Sequence, residues 1–245
     1  MQHVFFALAL LGSVSLALGW VDPPVPPALS ASINADDLVA QVGASMEEIG
    51  KWLATEKDYT EHRDQIKDEA NTLIIVSLVL AKHDTAHALK KTAASFIPPA
   101  QQLAKAKEFS VAQKSFADLQ TAVAGSAEAK EPEWARMAGL GSTMRRVAAT
   151  NTKLRNAIKR LDPRRSADNA RAASVLAAVG QAIIYDTHEV KNPDDLPKWY
   201  AMSGEMRDAF GELSRAIRAG DKTAAALAVD RVQKNCDDCH EVFQK

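Results

Sequence analysis

The chain has 245 residues, a formal net charge of −1, 47% hydrophobic and 25% charged residues. Nothing in that near-neutral balance suggests a nucleic-acid partner, which would need a basic face, and the length allows one large domain or two of about 100 residues. Alanine is abundant and aromatics are only 6% of the chain, so a helix-rich protein is predicted.

Residues 1–19 carry the apolar run Val4 to Gly19, which ends in small residues. This is the pattern of an export signal, with cleavage expected near Ala17 or Gly19. The rival is an uncleaved membrane anchor, because the run is near the lower limit of spanning length. Residues 20–34 hold four prolines, Pro23, Pro24, Pro26 and Pro27, and are expected to form a semi-rigid extended linker. From Asn34 onward the apolar spacing is helical. The first helix is expected from Ala35 to Thr60, with Leu38, Val42, Met46, Ile49 and Leu53 on one face. A second follows from Glu61 to Lys91 and contains "LIIVSLVLA". A third runs from Pro98 to Lys107, its prolines suited to a first turn. A fourth runs from Ser110, as N-cap, to Ala124, stopped by Gly125.

The second half repeats the scheme. Trp134 to Leu161 forms one long pattern, Ser166 to Glu189 the next, and Lys198 to Arg218 a third, closed by Gly220. Asp221 caps a fourth that reaches the C-terminus. Local echoes at a period of about 100 residues pair Met46 with Met144 and Asp118 with Asp230. The expected fold class is therefore all-α. It comprises two consecutive antiparallel four-helix bundles, residues 35–128 and 129–245.

The two cysteines of the chain are Cys236 and Cys239, and His240 follows directly. On a helix these three positions share one face. Cys-x-x-Cys-His is the pattern of covalent c-type haem attachment, and chance places it in a chain of this length about once in several thousand. A local disulfide closes too small a loop to constrain the unfolded chain much. A redox dithiol needs a strand-to-helix setting, and zinc needs about four ligands where three are found. Five residues follow His240, so any second axial ligand must come from upstream. The first half has "VAGSAE" where the motif would stand and is expected to lack haem.

Residues 131–245, with this motif on the last helix, resemble the class II c-type cytochromes, the cytochrome c′ and cytochrome c556 group. The segment "SMEEIGKWLA" of the first half resembles a first helix of that family more faintly. The resemblance implies one haem c held by Cys236 and Cys239, with His240 as proximal iron ligand and Phe243 in the haem pocket. The family's basic residue after that aromatic is replaced by Gln244, with Lys245 next. The distal side would come from the first helix of the bundle, where Met137, Leu140 and Met144 are expected on one face. Met144 is the preferred sixth ligand and Met137 the second choice. Leu140 is the blocking residue if the iron is five-coordinate. The plain alternative is that all three pack the core.

Other candidates weigh less. His83 and His87 form H-x-x-x-H on an expected helix, a spacing that can chelate a metal, but no third ligand is evident. Tyr185 and His188 lie late in a haem-half helix, His62 sits in a solvated "TEHRD", and "PRRS" from Pro163 is a basic turn. Asp237 and Asp238 add negative charge beside the motif. No Ser-His-Asp set, phosphate-cradling loop or carboxylate pair in an apolar setting is found, so no enzyme activity is expected. The implied function is single-electron transfer by an exported, periplasmic cytochrome with a redox-partner protein. The alternatives are a five-coordinate module binding nitric oxide or carbon monoxide, and an interaction module with structural haem. Class II members pair through their early helices. The haemless half is therefore expected to pack on the haem half as a built-in partner in a monomer, or the chain to form a homodimer.

Overall fold

The computed structural model describes residues 21–244, and the expected export signal at residues 1–19 lies outside them. Every regular element among the described residues is helical. Residues 21–34 run extended into a single 3-10 turn at Leu29–Ala31. They do not hang free. Tyr200 and Tyr185 donate their hydroxyls to the carbonyls of Val21 and Pro24, and Ser32 binds Asp208 at 2.8 Å.

Asn34 caps α1 (Ala35–Trp52) by accepting from the Asp37 amide, and Asp36 and Asp37 complement the positive end of the helix. The expected single helix to Thr60 is broken here. Thr55 caps a new helix, α2 (Glu56–Lys82), by accepting from the Asp58 amide. Residues 69–81 of α2 are buried on every side, as expected of a helix enclosed by others. α2 stops nine residues before the expected Lys91. α3 (Ile97–Lys105) carries Pro98 and Pro99 in its first turn as expected. α4 (Phe109–Ala124) is entered from Glu108, not Ser110, so Ser110 is not its N-cap.

In the second half α5 (Leu140–Ile158) starts six residues later than the sequence pattern. α6 (Ser166–Ile183) ends before Asp186 and His188. α7 (Leu196–Ala219) closes on Gly220, whose φ of 68° is left-handed, and Asp221 caps α8 (Lys222–Phe243) by accepting from the Ala224 amide.

Neighbours in sequence pack together: α1 with α2, α2 with α3, α3 with α4, then α5 with α6, α6 with α7 and α7 with α8. The two halves meet chiefly through their first two helices. α2 touches α6, while α1 touches α6 and α2 touches α5, a reciprocal pattern like that of a two-fold pair. One continuous apolar core runs through both halves, from Leu38 and Leu73 to Leu176 and Leu213. Polar contacts stitch the same seam. Arg145 pairs with Asp68 at 2.6 Å, Arg146 with Glu69 at 2.9 Å, and Arg218 with Asp37 at 2.7 Å.

α6 and α7 approach closely at Gly180, where an added Cβ would lie 2.5 Å from the backbone nitrogen of Arg207. Alanine favours a helix over glycine by about 1 kcal/mol, but two packed backbones cannot both yield. Gly180→Ala is therefore expected to destabilise by about 1–3 kcal/mol. Calorimetry reads this as a midpoint lowered by about 2–4 °C per kcal/mol.

Candidate functional site

α8 is built around a buried stripe of Ala225, Val229 and Val232 that continues into Cys236 and Phe243. Its two flanks face different helices. On one, Asn235 donates to the Met202 carbonyl at 3.0 Å and Arg231 binds Glu205 and Glu212, so this flank lies on α7. On the other, Gln233 accepts from Arg155 of α5 at 3.0 Å. At 3.6 residues per turn Cys239 shares the Asn235 flank, His240 shares the Gln233 flank, and Cys236 stands between them.

Both thiols are free and half-buried. Burial, with the Asp237 charge beside it, raises the Cys236 thiol above its ordinary value. Burial, and secondarily Cys236, pushes the Cys239 thiol up to about 11. Both are thus neutral thiols at neutral pH. His240 is exposed, and its imidazole makes no hydrogen bond or ion pair among the described residues. Asp237 accepts from Gln233, and Asp238 binds Lys234 at 2.5 Å, so part of the motif's negative charge is already matched.

The end of α8 rests on a small cluster of Ile184, Trp199 and Tyr200. Phe243 meets Trp199 edge-on, with ring centroids 5.0 Å apart. Trp199 is fixed in turn by donating Nε1 to the Ile183 carbonyl at 2.8 Å. Leu140, the first residue of α5, packs on this cluster too. The start of α5 therefore meets the end of α8, while Arg155 further along α5 reaches back to Gln233. The two helices are antiparallel. Met144 lies about three turns before Arg155, on the same flank of α5. It is half-buried against the main core.

Met137 does not share that face. It precedes α5, its carbonyl accepts from Gln101 at 3.0 Å, and Gly139 is held by Asn71 at 2.6 Å. Met137 lines a cavity of about 20 Å³ with Ile75, Leu78, Leu140, Ala182 and Ile183, and no α8 residue borders it. The expectation of Met137, Leu140 and Met144 on one helical face is thus corrected to Leu140 and Met144.

His83 and His87 are also corrected. His83 is the C-cap of α2 and His87 lies beyond it, so they are not two residues on one helix face. Nε2 of His83 contacts the Ile33 carbonyl and Nε2 of His87 the Leu80 carbonyl, and the rings meet edge-on. No cluster of three or more His, Cys, Asp or Glu poised for a metal ion exists among the described residues. His188 sits between Asp186 and Glu189 in the loop after α6. Tyr185 stacks on Trp134 at 5.0 Å and packs against the Trp199 cluster. His62 stacks on Trp52, and Pro163–Arg165 is a 3-10 turn capped by Asp162. Trp199 and the pair Arg145 and Arg146 went unremarked in the sequence. Only the aromatic at the start of α7 and the doublet directly after Met144 could have signalled them.

No protein-family model, no curated protein and no solved structure matches the chain. No helix among the described residues is long and apolar enough to cross a membrane.

The donor set suits a covalently held haem. Two free neutral thiols and an unpartnered imidazole leave one helix within about 100° of each other, between its α7 flank and its α5 flank. A thioether forms when a thiol adds across a vinyl group. The S–C bond forms, the thiol proton moves to the vinyl carbon, and no oxidant is consumed.

Proposed function

We propose that the protein is an exported c-type cytochrome that carries one covalent haem and transfers single electrons to and from a partner protein. The observation that carries this reading is the presentation of Cys236, Cys239 and His240 together on the last helix. Haem bound there supplies a one-electron couple at its iron. The chain's own residues do the rest. Cys236 and Cys239 would tether the haem to α8. His240 would hold the iron, its direction set by α8. Met144, on α5, is the residue that would supply a second iron ligand. Phe243, held edge-on by Trp199, would pack beside the haem one turn past His240. The first half packs on the haem half as a built-in partner, through the helices that class II cytochromes use to dimerise.

An optical spectrum of the ferrous protein, purified from a host that attaches haem c, tests the reading. A six-coordinate low-spin spectrum that carbon monoxide leaves unchanged is expected. A high-spin spectrum that shifts under carbon monoxide transfers the proposal to gas binding behind Leu140. Absence of covalent haem in a denaturing gel overturns both.

A further inference from the structure

We infer that the haemless half is a clamp on the helix that carries the sixth ligand: Asp68 and Glu69 of α2 grip Arg145 and Arg146 of α5 and hold Met144 toward the haem. The inference rests on the reading of Met144 as distal ligand.

Three consecutive helical residues project about 100° apart. Two of the three, Arg145 and Arg146, are anchored on the other half of the chain. Asp68 receives both Nε and Nη2 of Arg145, at 3.3 and 2.6 Å. Glu69 is the stronger anchor. Its side chain is only 3% exposed, and it collects Arg146 at 2.9 Å, Ser45 Oγ at 2.5 Å and Gln41 Nε2 at 3.1 Å. A third residue of α2, Asn71, takes the Gly139 amide just before α5 begins. The first turns of α5 are thus held by α2 through charge-assisted bonds, of which the Glu69 carboxylate is the buried end. The polar contact of α5 with α8, Arg155–Gln233, has a neutral partner and lies near the far end of α5, so the charged grip on its first turns comes from α2. With Arg145 and Arg146 fixed, the direction left to Met144 is the α8 side.

The geometry is sensitive. A side-chain tip about 5 Å from a helix axis moves nearly 2 Å for a rotation of about 20°. A ligand bond tolerates about 0.5 Å. Asp68 and Glu69 are therefore positioning residues for the haem, although neither is on the haem half.

The test uses full-length holoprotein and three variants: Asp68→Asn/Glu69→Gln, Arg146→Lys, and Leu103→Ala as a control that loosens the first-half core. Ferrous spectra with and without carbon monoxide, and reduction potentials, are recorded well below each melting midpoint. The double variant is expected to raise the carbon monoxide-reactive fraction roughly tenfold and to lower the potential, as a lost charge-assisted grip on a two-state ligand allows. Arg146→Lys keeps most of the wild-type spectrum. Leu103→Ala keeps all of it despite a lower midpoint. If the double variant matches wild type, or Leu103→Ala shifts as far as the double variant, the clamp is overturned. Should the double variant not fold, Asp68→Asn alone, which removes only the more exposed ion pair, gives the same reading at smaller amplitude. A high-spin wild-type spectrum removes Met144 as ligand and the clamp with it, but leaves the covalent haem standing. Absence of haem removes both.

Discussion

The double variant Cys236→Ala/Cys239→Ala will export and fold but show no haem-stained band in a denaturing gel, where wild type shows one. The effect is expected to be complete, because no other cysteine exists in the chain to form a thioether. Folding should survive. Alanine is the best helix former, and both thiols are only half-buried at the open end of α8, where Asn235 and Arg231 still fasten the helix to α7. Far-UV circular dichroism of the haem-free variant should therefore keep its helical signal. Each single variant should keep a weaker band through its remaining thioether. His240→Ala should keep the band but lose the proximal ligand, giving an altered spectrum on a haem that stays attached. A double variant that still stains would show that the haem is bound elsewhere, and would end the assignment of the motif.

Where the sequence pattern and the structure part, a distant residue has captured a backbone or side-chain group. The apolar pattern carried α2 on to Lys91, yet the helix ends at Lys82. There the His83 imidazole is taken by the Ile33 carbonyl and Asp84 by Ser30, contacts that span about fifty residues. Side chains that bond away from the helix compete with its own ladder. The late start of α5 has the same origin. Gln101, Asn71 and Tyr185, all outside the local pattern, hold Met137, Gly139 and Trp134 in an extended approach. Local signals fared better where the determining residue was itself local. Asp221 as cap, Gly220 as left-handed stop and the two prolines opening α3 were all legible.

The site divides in the same way. Cys236, Cys239 and His240 were legible because their spacing alone puts them on one helix face. The distal candidates were not, because their relation to α8 depends on the antiparallel packing of α5 and on where α5 begins. Periodicity placed Met137 with Met144. The pull of α2 on Gly139 separates them, and only Leu140 and Met144 remain on the helix.

That separation makes a sharp prediction for the sixth ligand. Met144→Leu nearly conserves volume, so its packing cost should stay below about 1.5 kcal/mol, while the sulfur is lost. The ferrous protein should then become high-spin and bind carbon monoxide. Its reduction potential should fall by on the order of 0.1 V, a modest part of the roughly 0.8 V range that axial ligands span. Met137→Leu should leave the spectrum and potential at wild-type values, since Met137 precedes α5 and lines a cavity between α2, α5 and α6 that no α8 residue borders. Leu140→Ala should act differently again. It opens the contact shared with Phe243 and the Trp199 cluster, so it should admit gas ligands faster in a Met144→Leu background without changing the spin state of the parent. Spectra, potentials and carbon monoxide binding rates of these variants together distinguish the roles. If Met144→Leu retains a low-spin spectrum and Met137→Leu loses it, the loop before α5 must reach the iron, and the placement of Met144 toward α8 is wrong.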